Sequence, residues 1–266
     1  MDTALFFIET LSNLHVGSGE INYGLVDNLI QRDPVTGLPT VNSSSLKGAL
    51  REHFGINAET EKDKERIIYF FGSEPKENDS SKRQQGALRF FEADLLSISA
   101  RTTGNSDLPF VNVTSKEQLD RQIQRLIPFG INASRLTGLT SASKAGKVII
   151  EDLKGEKEYR ITADAASAVG ENLAILEENE FQLLCDDEHL PIISRNCLDS
   201  GQSTNLFYEQ VLPRYSHLST IIMGDGDLFH SFCQKLNGKV VQIGGNATIG
   251  YGYCVFTLAT ISKTGK

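Results

Sequence analysis

Cysteine is sparse in this sequence, and no cysteine framework is present. Four cysteines, Cys185, Cys197, Cys233 and Cys254, lie scattered through 266 residues with no C-x-x-C. That spacing excludes a zinc ribbon and a disulfide scaffold, and it predicts free buried thiols in a reducing cytoplasm. Long apolar runs are also missing: none approaches the roughly 20 residues that a membrane-spanning helix needs. The opening MDTALFFIET has no basic segment or cleavage site, so it reads as a strand rather than a signal peptide. Positive charge is in deficit, with 26 Lys and Arg against 34 Asp and Glu, a net charge of −8. A nucleic-acid partner would therefore have to meet a local patch, not a global field. There is no G-x-S-x-G, no H-E-x-x-H, no Cys/His metal spacing and no 20–50-residue repeat. With 39% hydrophobic residues, most of the chain is expected to fold.

The pattern alternates strands and helices. Ala4–Leu11 reads as a strand and Gly24–Ile30 as a second short strand or extended segment, around a His15–Gly19 loop. Asp33–Pro39 reads as a turn. Ser43, Ser44 and Ser45 open a helix whose apolar face is Leu46, Ala49, Leu50 and Phe54, and the serines can cap its first amides. Lys47 and Arg51 share the opposite face. Helices are also predicted over 58–71, 116–128, 163–178 and 227–236. Strands are predicted over 87–99, 147–150, 157–162, 190–193 and 218–223, with a terminal pair around the glycines of 244–252. Polar stretches at 72–86, 132–146 and 194–216 read as surface excursions. The order suggests an α+β sandwich of ferredoxin or RRM type with large insertions and no clean domain boundary.

Several residues are chemically suggestive. Asp27 stands between apolar neighbours, as a solvent-facing strand-end carboxylate or as a metal ligand or proton acceptor near a phosphodiester. His15 beside Gly17 and Gly19 is either structural or a proton donor and acceptor. Lys47 and Arg51 next to a helix N-terminus are a solvated face or a phosphate contact. Gly244-Gly245-Asn246-Ala247-Thr248-Ile249-Gly250-Tyr251-Gly252 carries no Gly-Lys-Ser/Thr and is followed by a strand. It is therefore neither a Walker loop nor a dinucleotide fingerprint, although its amides could form an anion nest.

Taken together, HVGSG (15–19), GLVDNLIQRDPVTGLPTVNSSSLKGALR (24–51) and GGNATIGYG (244–252) resemble the RAMP superfamily of CRISPR proteins. LPIISRNCLDSGQSTNLFYEQVLPR (190–214) resembles the thumb of one branch, the backbone subunits of type III-B (Cmr) effector complexes. The resemblance implies one domain over 1–266: an RRM/ferredoxin-like palm (1–55 and 217–266 with central elements), inserted fingers and a β-hairpin thumb near 194–216. It implies copies stacked along a CRISPR guide RNA beside other Cmr subunits, cutting single-stranded target RNA at regular intervals.

By motif, Asp27 falls at the family's cleavage aspartate, with Mg²⁺ or Mn²⁺ as the implied cofactor. His15, Tyr208 and Glu209 are candidate partners at the cut. Ser43, Ser44, Ser45, Lys47, Arg51, Arg195, Gly244, Gly245, Asn246, Thr248, Gly250, Tyr251 and Gly252 are the implied RNA-binding set. Tyr251 stands where the family often has a basic residue. Competing readings are a non-catalytic scaffold, the type III-A (Csm) counterpart, and a single-chain guide-processing nuclease acting through His15.

Overall fold

A computed structural model describes residues 1–19, 24–73, 84–103, 108–133, 136, 147–151, 153, 158–162, 168–199 and 202–263. Strand β1 (Asp2–Thr10) is buried continuously from Thr3 to Ile8, because both of its faces are covered. Ala4, Phe6 and Ile8 enter one core, and Leu5 and Phe7 enter a second core on the other side of the sheet. β1 pairs antiparallel with β11 (His217–Gly224) and β13 (Tyr253–Lys263), and β11 pairs with β4 (Ala93–Thr103). With α1 (Ser43–Ile56) after β1 and α5 (Gly226–Leu236) after β11, the chain traces β-α-β-β-α-β in spatial order β13-β1-β11-β4. This is the expected ferredoxin-like palm.

Helices α1, α2 (Glu61–Phe71) and α5 cover the first face. Leu46, Leu50, Phe70, Phe71, Phe229 and Phe232 join Phe6 and Ile8 there. Phe54 stacks on Phe232 with centroids 4.9 Å apart. α3 (Lys116–Leu126) covers the second face with Leu119 and Leu126. The apolar stripes read from helical spacing in α1 and α3 are the faces that are buried.

Between β4 and β11 lie the insertions. β5 (Phe110–Ser115) pairs with β4. β6 (Lys147–Ile150) and β7 (Glu158–Thr162) form the predicted hairpin, and β8 (Leu173–Leu176) lies parallel to β5. β9 (Ile192–Asp199) and β10 (Gln202–Gln210) make a separate two-stranded ribbon, so the supposed polar excursion after 193 is the thumb hairpin.

Two expectations need correction, and a third, the strand or extended segment at Gly24–Ile30, is narrowed. Residues 168–178 are not helical: Leu173–Leu176 is a buried strand against β5, and α4 starts only at Glu178 (Glu178–Cys185). Gly24–Ile30 forms no ladder, because Asn28 bridges Glu209 in parallel while Ile30 bridges Gly17 antiparallel. The N-cap of α1 is Asn42, which makes no side-chain capping bond, and Ser43 is already inside the helix. The supposed loops at 74–83 and at 137–146 with 134 and 135 lie outside the described residues, as do 163–167.

Candidate nucleic-acid interface

The base of the thumb is where the separate motifs converge. The N–H groups of Asp27 and Asn28 both donate to the carbonyl of Tyr208, each at 3.1 Å, and the Tyr208 N–H donates to Asp27 Oδ2 at 2.8 Å. Asp suits this place because its short side chain reaches a neighbouring amide without leaving the loop. The Asp27 side chain is exposed, and its other oxygen has no partner among the described residues. Tyr208 is also exposed, beside Leu206 on the same face of β10.

The adjacent face of the ribbon is locked inward. Glu209 is only 5% exposed, and its carboxylate accepts from Arg195 Nη1 at 2.7 Å and Asn246 Nδ2 at 2.9 Å. Arg195 also donates to Asn246 Oδ1 at 2.7 Å and lies over the Phe207 ring at 5.1 Å. This triad ties both thumb strands to the glycine loop. Burial, reinforced by the Glu209 charge, holds the Tyr251 phenol above its ordinary pKa.

His15 is buried, with Nδ1 2.7 Å from the Gln210 carbonyl, and its own carbonyl accepts the Gly245 N–H at 2.9 Å. Gly244 and Gly252 have positive φ, and a Cβ on either would strike a backbone carbonyl, His15 or Ile243 respectively. Gly245 meets no such obstacle, Gly250 has open space but also a positive φ, and Thr248 is exposed at the loop's tip.

Gln31 joins α1 to this assembly. Its Nε2 donates to Gly17 O at 3.2 Å and Ser45 Oγ at 3.0 Å, and its Oε1 accepts the Asn42 N–H at 2.8 Å. Gln210, fully buried, accepts the Ile30 N–H at 3.2 Å and donates to Asp187 Oδ1 at 3.0 Å. Arg32 bonds Asp187 at 2.9 Å and the carbonyls of Gly37 and Cys185. Sequence reasoning missed these three anchors. Gln31 and Arg32 lay inside the recognised motif, but their partners are up to 155 residues away.

Asp27, His15, Tyr208, Glu209, Arg195, Asn246, Gly244, Gly245 and Ser45 thus share one bonded assembly. Lys47 stands on α1 without a partner among the described residues. Arg51 Nη1 turns toward Ser73 O, 3.5 Å away on the α2 side. Ser44 is exposed at the helix start, where side chains leave the first amides uncapped. Among the described residues no three His, Cys, Asp or Glu side chains group as a metal cage. One open carboxylate oxygen fits a hydrated Mg²⁺ or Mn²⁺ completed by a substrate's phosphate oxygens, and no enclosed protein site.

A family model described as the RAMP superfamily matches residues 7–255. The CRISPR system Cmr endoribonuclease Cmr4 of Pyrococcus furiosus is 27% identical over 300 aligned residues, spanning 100% of this chain and 98% of that protein. The fold matches the crystal structure of oligomeric Cmr4 from Pyrococcus furiosus with TM-score 0.68, 21% identity and 100% coverage of both chains. It also matches a chain of the type III-B Cmr-beta complex bound to cognate target RNA, with TM-score 0.76, 20% identity and 96% of each chain covered. With a ferredoxin-like palm, a thumb ribbon and a family match over most of its length, the chain belongs to the RAMP superfamily.

Proposed function

We propose that this chain is the guide-RNA-bound backbone subunit of a type III-B CRISPR complex in the cytoplasm, and that it cleaves complementary target RNA with Asp27 at the scissile phosphate. The observation that carries the reading is the pairing of Asp27 with Tyr208: an open carboxylate oxygen held at the root of a projecting ribbon. The relative named as an endoribonuclease spans the same length of chain.

Attack of a ribose 2′-hydroxyl on its own phosphate needs in-line geometry, which stacked A-form RNA denies. The exposed Leu206 and Tyr208 on the ribbon splay one nucleotide out of the stack. Asp27 then faces the exposed phosphate and, with Mg²⁺ or Mn²⁺ bound, the ion supplies Lewis-acid polarisation of a phosphoryl oxygen. His15 and Glu209, both buried, act by holding the loops in register. Lys47 and the open amides of α1 hold guide phosphates, which makes loading salt-sensitive and indifferent to guide sequence. Sequence choice is left to base pairing.

The Asp27–Tyr208 bond also favours a second reading, a scaffold in which Asp27 only pins the thumb. Asp27→Asn separates the two, since its amide oxygen can keep the pin while the charge is gone. Assembled complex carrying Asp27→Asn should retain guide content and lose target cutting by at least about a hundredfold. Full-rate cutting would remove Asp27 from the catalytic role and leave it only the pin. Chelation by EDTA should stop the wild-type reaction; persistence in EDTA would make Asp27 a proton acceptor instead.

A further inference from the structure

A groove of about 520 Å³ lies between β4, β5, the end of α4 and the segment after β10. That volume falls within the roughly 300–1,000 Å³ of small-ligand clefts. Phe110 and Tyr215 are stacked in its wall with centroids 5.1 Å apart and ring planes within 6°. The Arg214 guanidinium lies 5.3 Å from the Tyr215 centroid. Arg101 adds a second guanidinium, and His189, whose Nδ1 is buried without a hydrogen-bond partner among the described residues, lines the same groove. No Asp or Glu is among the described lining residues, although the chain carries an excess of eight acids. Arg101 is itself ion-paired with Glu151 at 2.9 Å.

Two bonds join this groove to the glycine loop. The Asn13 carbonyl accepts the Gly252 N–H at 2.8 Å, and Asn13 Oδ1 accepts the Arg214 N–H at 3.2 Å. Tyr215 is held at φ 66°, with its N–H on the Thr10 carbonyl and its own carbonyl accepting from Asn112 Nδ2 at 2.6 Å. The ring pair is therefore held by β1 and β5 and not by the thumb strands.

We propose that this groove takes an unpaired base of an RNA strand passing the glycine loop, with the base on the Phe110–Tyr215 pair and its phosphate on Arg214 and Arg101. Flat partly exposed rings next to guanidinium groups are the sequence-tolerant recognition used for single strands. The proposal rests on the RNA-binding reading above and adds a subsite whose lining does not include Asp27.

The test uses the full chain and a short fluorescein-labelled oligouridylate, read by anisotropy across a salt series, together with the same strand carrying abasic sites. Phe110→Leu should weaken binding about tenfold, and abasic substitution should weaken wild type but not Phe110→Leu. Arg214→Gln, at an exposed position, should lower the salt slope by about one. Equal affinity for Phe110→Leu with an unchanged slope for Arg214→Gln would overturn the groove. If Phe110→Leu fails to fold, the Arg214→Gln slope and the abasic strand on wild type decide alone. Weakening by Lys47→Ala with no effect at the groove would overturn the subsite and leave the RNA-binding reading standing. No RNA binding by wild type would remove both. A change in sedimentation with unchanged RNA affinity in Phe110→Leu would mark the groove as a contact between copies and overturn the proposal.

Discussion

At the scale of single residues, burial separates chemistry from support. Asp27 and Glu209 are both carboxylates at the thumb root, but only Asp27 is open to solvent. Glu209 is satisfied by Arg195, Asn246 and, at 3.4 Å, Asn28. Removing one partner of such a pair strands the other, which costs more than neutralising it. Arg195→Ala should therefore lower stability by about 2 kcal/mol in urea unfolding, and Glu209→Gln by less. An equal loss for both would contradict the buried-pair account. Two of the cysteine thiols show the same logic: burial pushes Cys233 and Cys254 up to about 12, which fits the free, unreactive thiols expected from their spacing.

At the scale of elements, α1 carries two jobs. Leu50 is fully buried in the core, and Lys47 is partly exposed with no partner among the described residues. Leu50→Ala should lose about 3 kcal/mol of stability, while Lys47→Ala should leave the melting temperature within a degree or two and weaken guide loading. The glycine loop divides likewise. Gly252→Ala forces a Cβ onto the Ile243 carbonyl at positive φ and should destabilise the fold by more than about 2 kcal/mol. Gly245→Ala has open space and should cost less than about 1 kcal/mol, so any loss of RNA binding there reports contact rather than folding. Circular-dichroism melts of the pair check the distinction.

At the scale of the whole molecule, the palm buries a histidine that becomes its acid-sensitive point. Burial, opposed by a backbone contact to Tyr215, lowers His217 from 6.5 to about 4. Between those values the unfolded chain binds a proton that the folded chain refuses. Stability is complete above about pH 6.5 and falls as pH drops toward 4, by about 3 kcal/mol. His53 is lowered by burial and by Lys239 and acts in the same direction. Glu9, raised by burial and then by Glu171, opposes it. Urea midpoints measured from pH 7.5 to 4.5 should decline in wild type and decline less in His217→Gln. A flat wild-type profile would refute the buried neutral imidazole.

The pattern of apolar residues was enough to place β1, α1, α3, α5 and the closing strand pair. Each buries its own stripe, and a stripe is written in local spacing. It was not enough for β8: the alanines of 163–168 favour a helix, but the buried partner that makes Leu173–Leu176 a strand is β5, some sixty residues earlier. The motif around Asp27 was legible because one short segment holds most of it. The roles of its neighbours were not. Whether His15 and Glu209 face RNA or the interior depends on Gln210, Arg195 and Asn246, which come from distant parts of the chain. Local sequence determined which surfaces seek burial and which loop bears the open acid. Only the tertiary structure decided which polar groups were already satisfied, because a hydrogen bond or a buried charge pair depends on distance in space rather than along the chain.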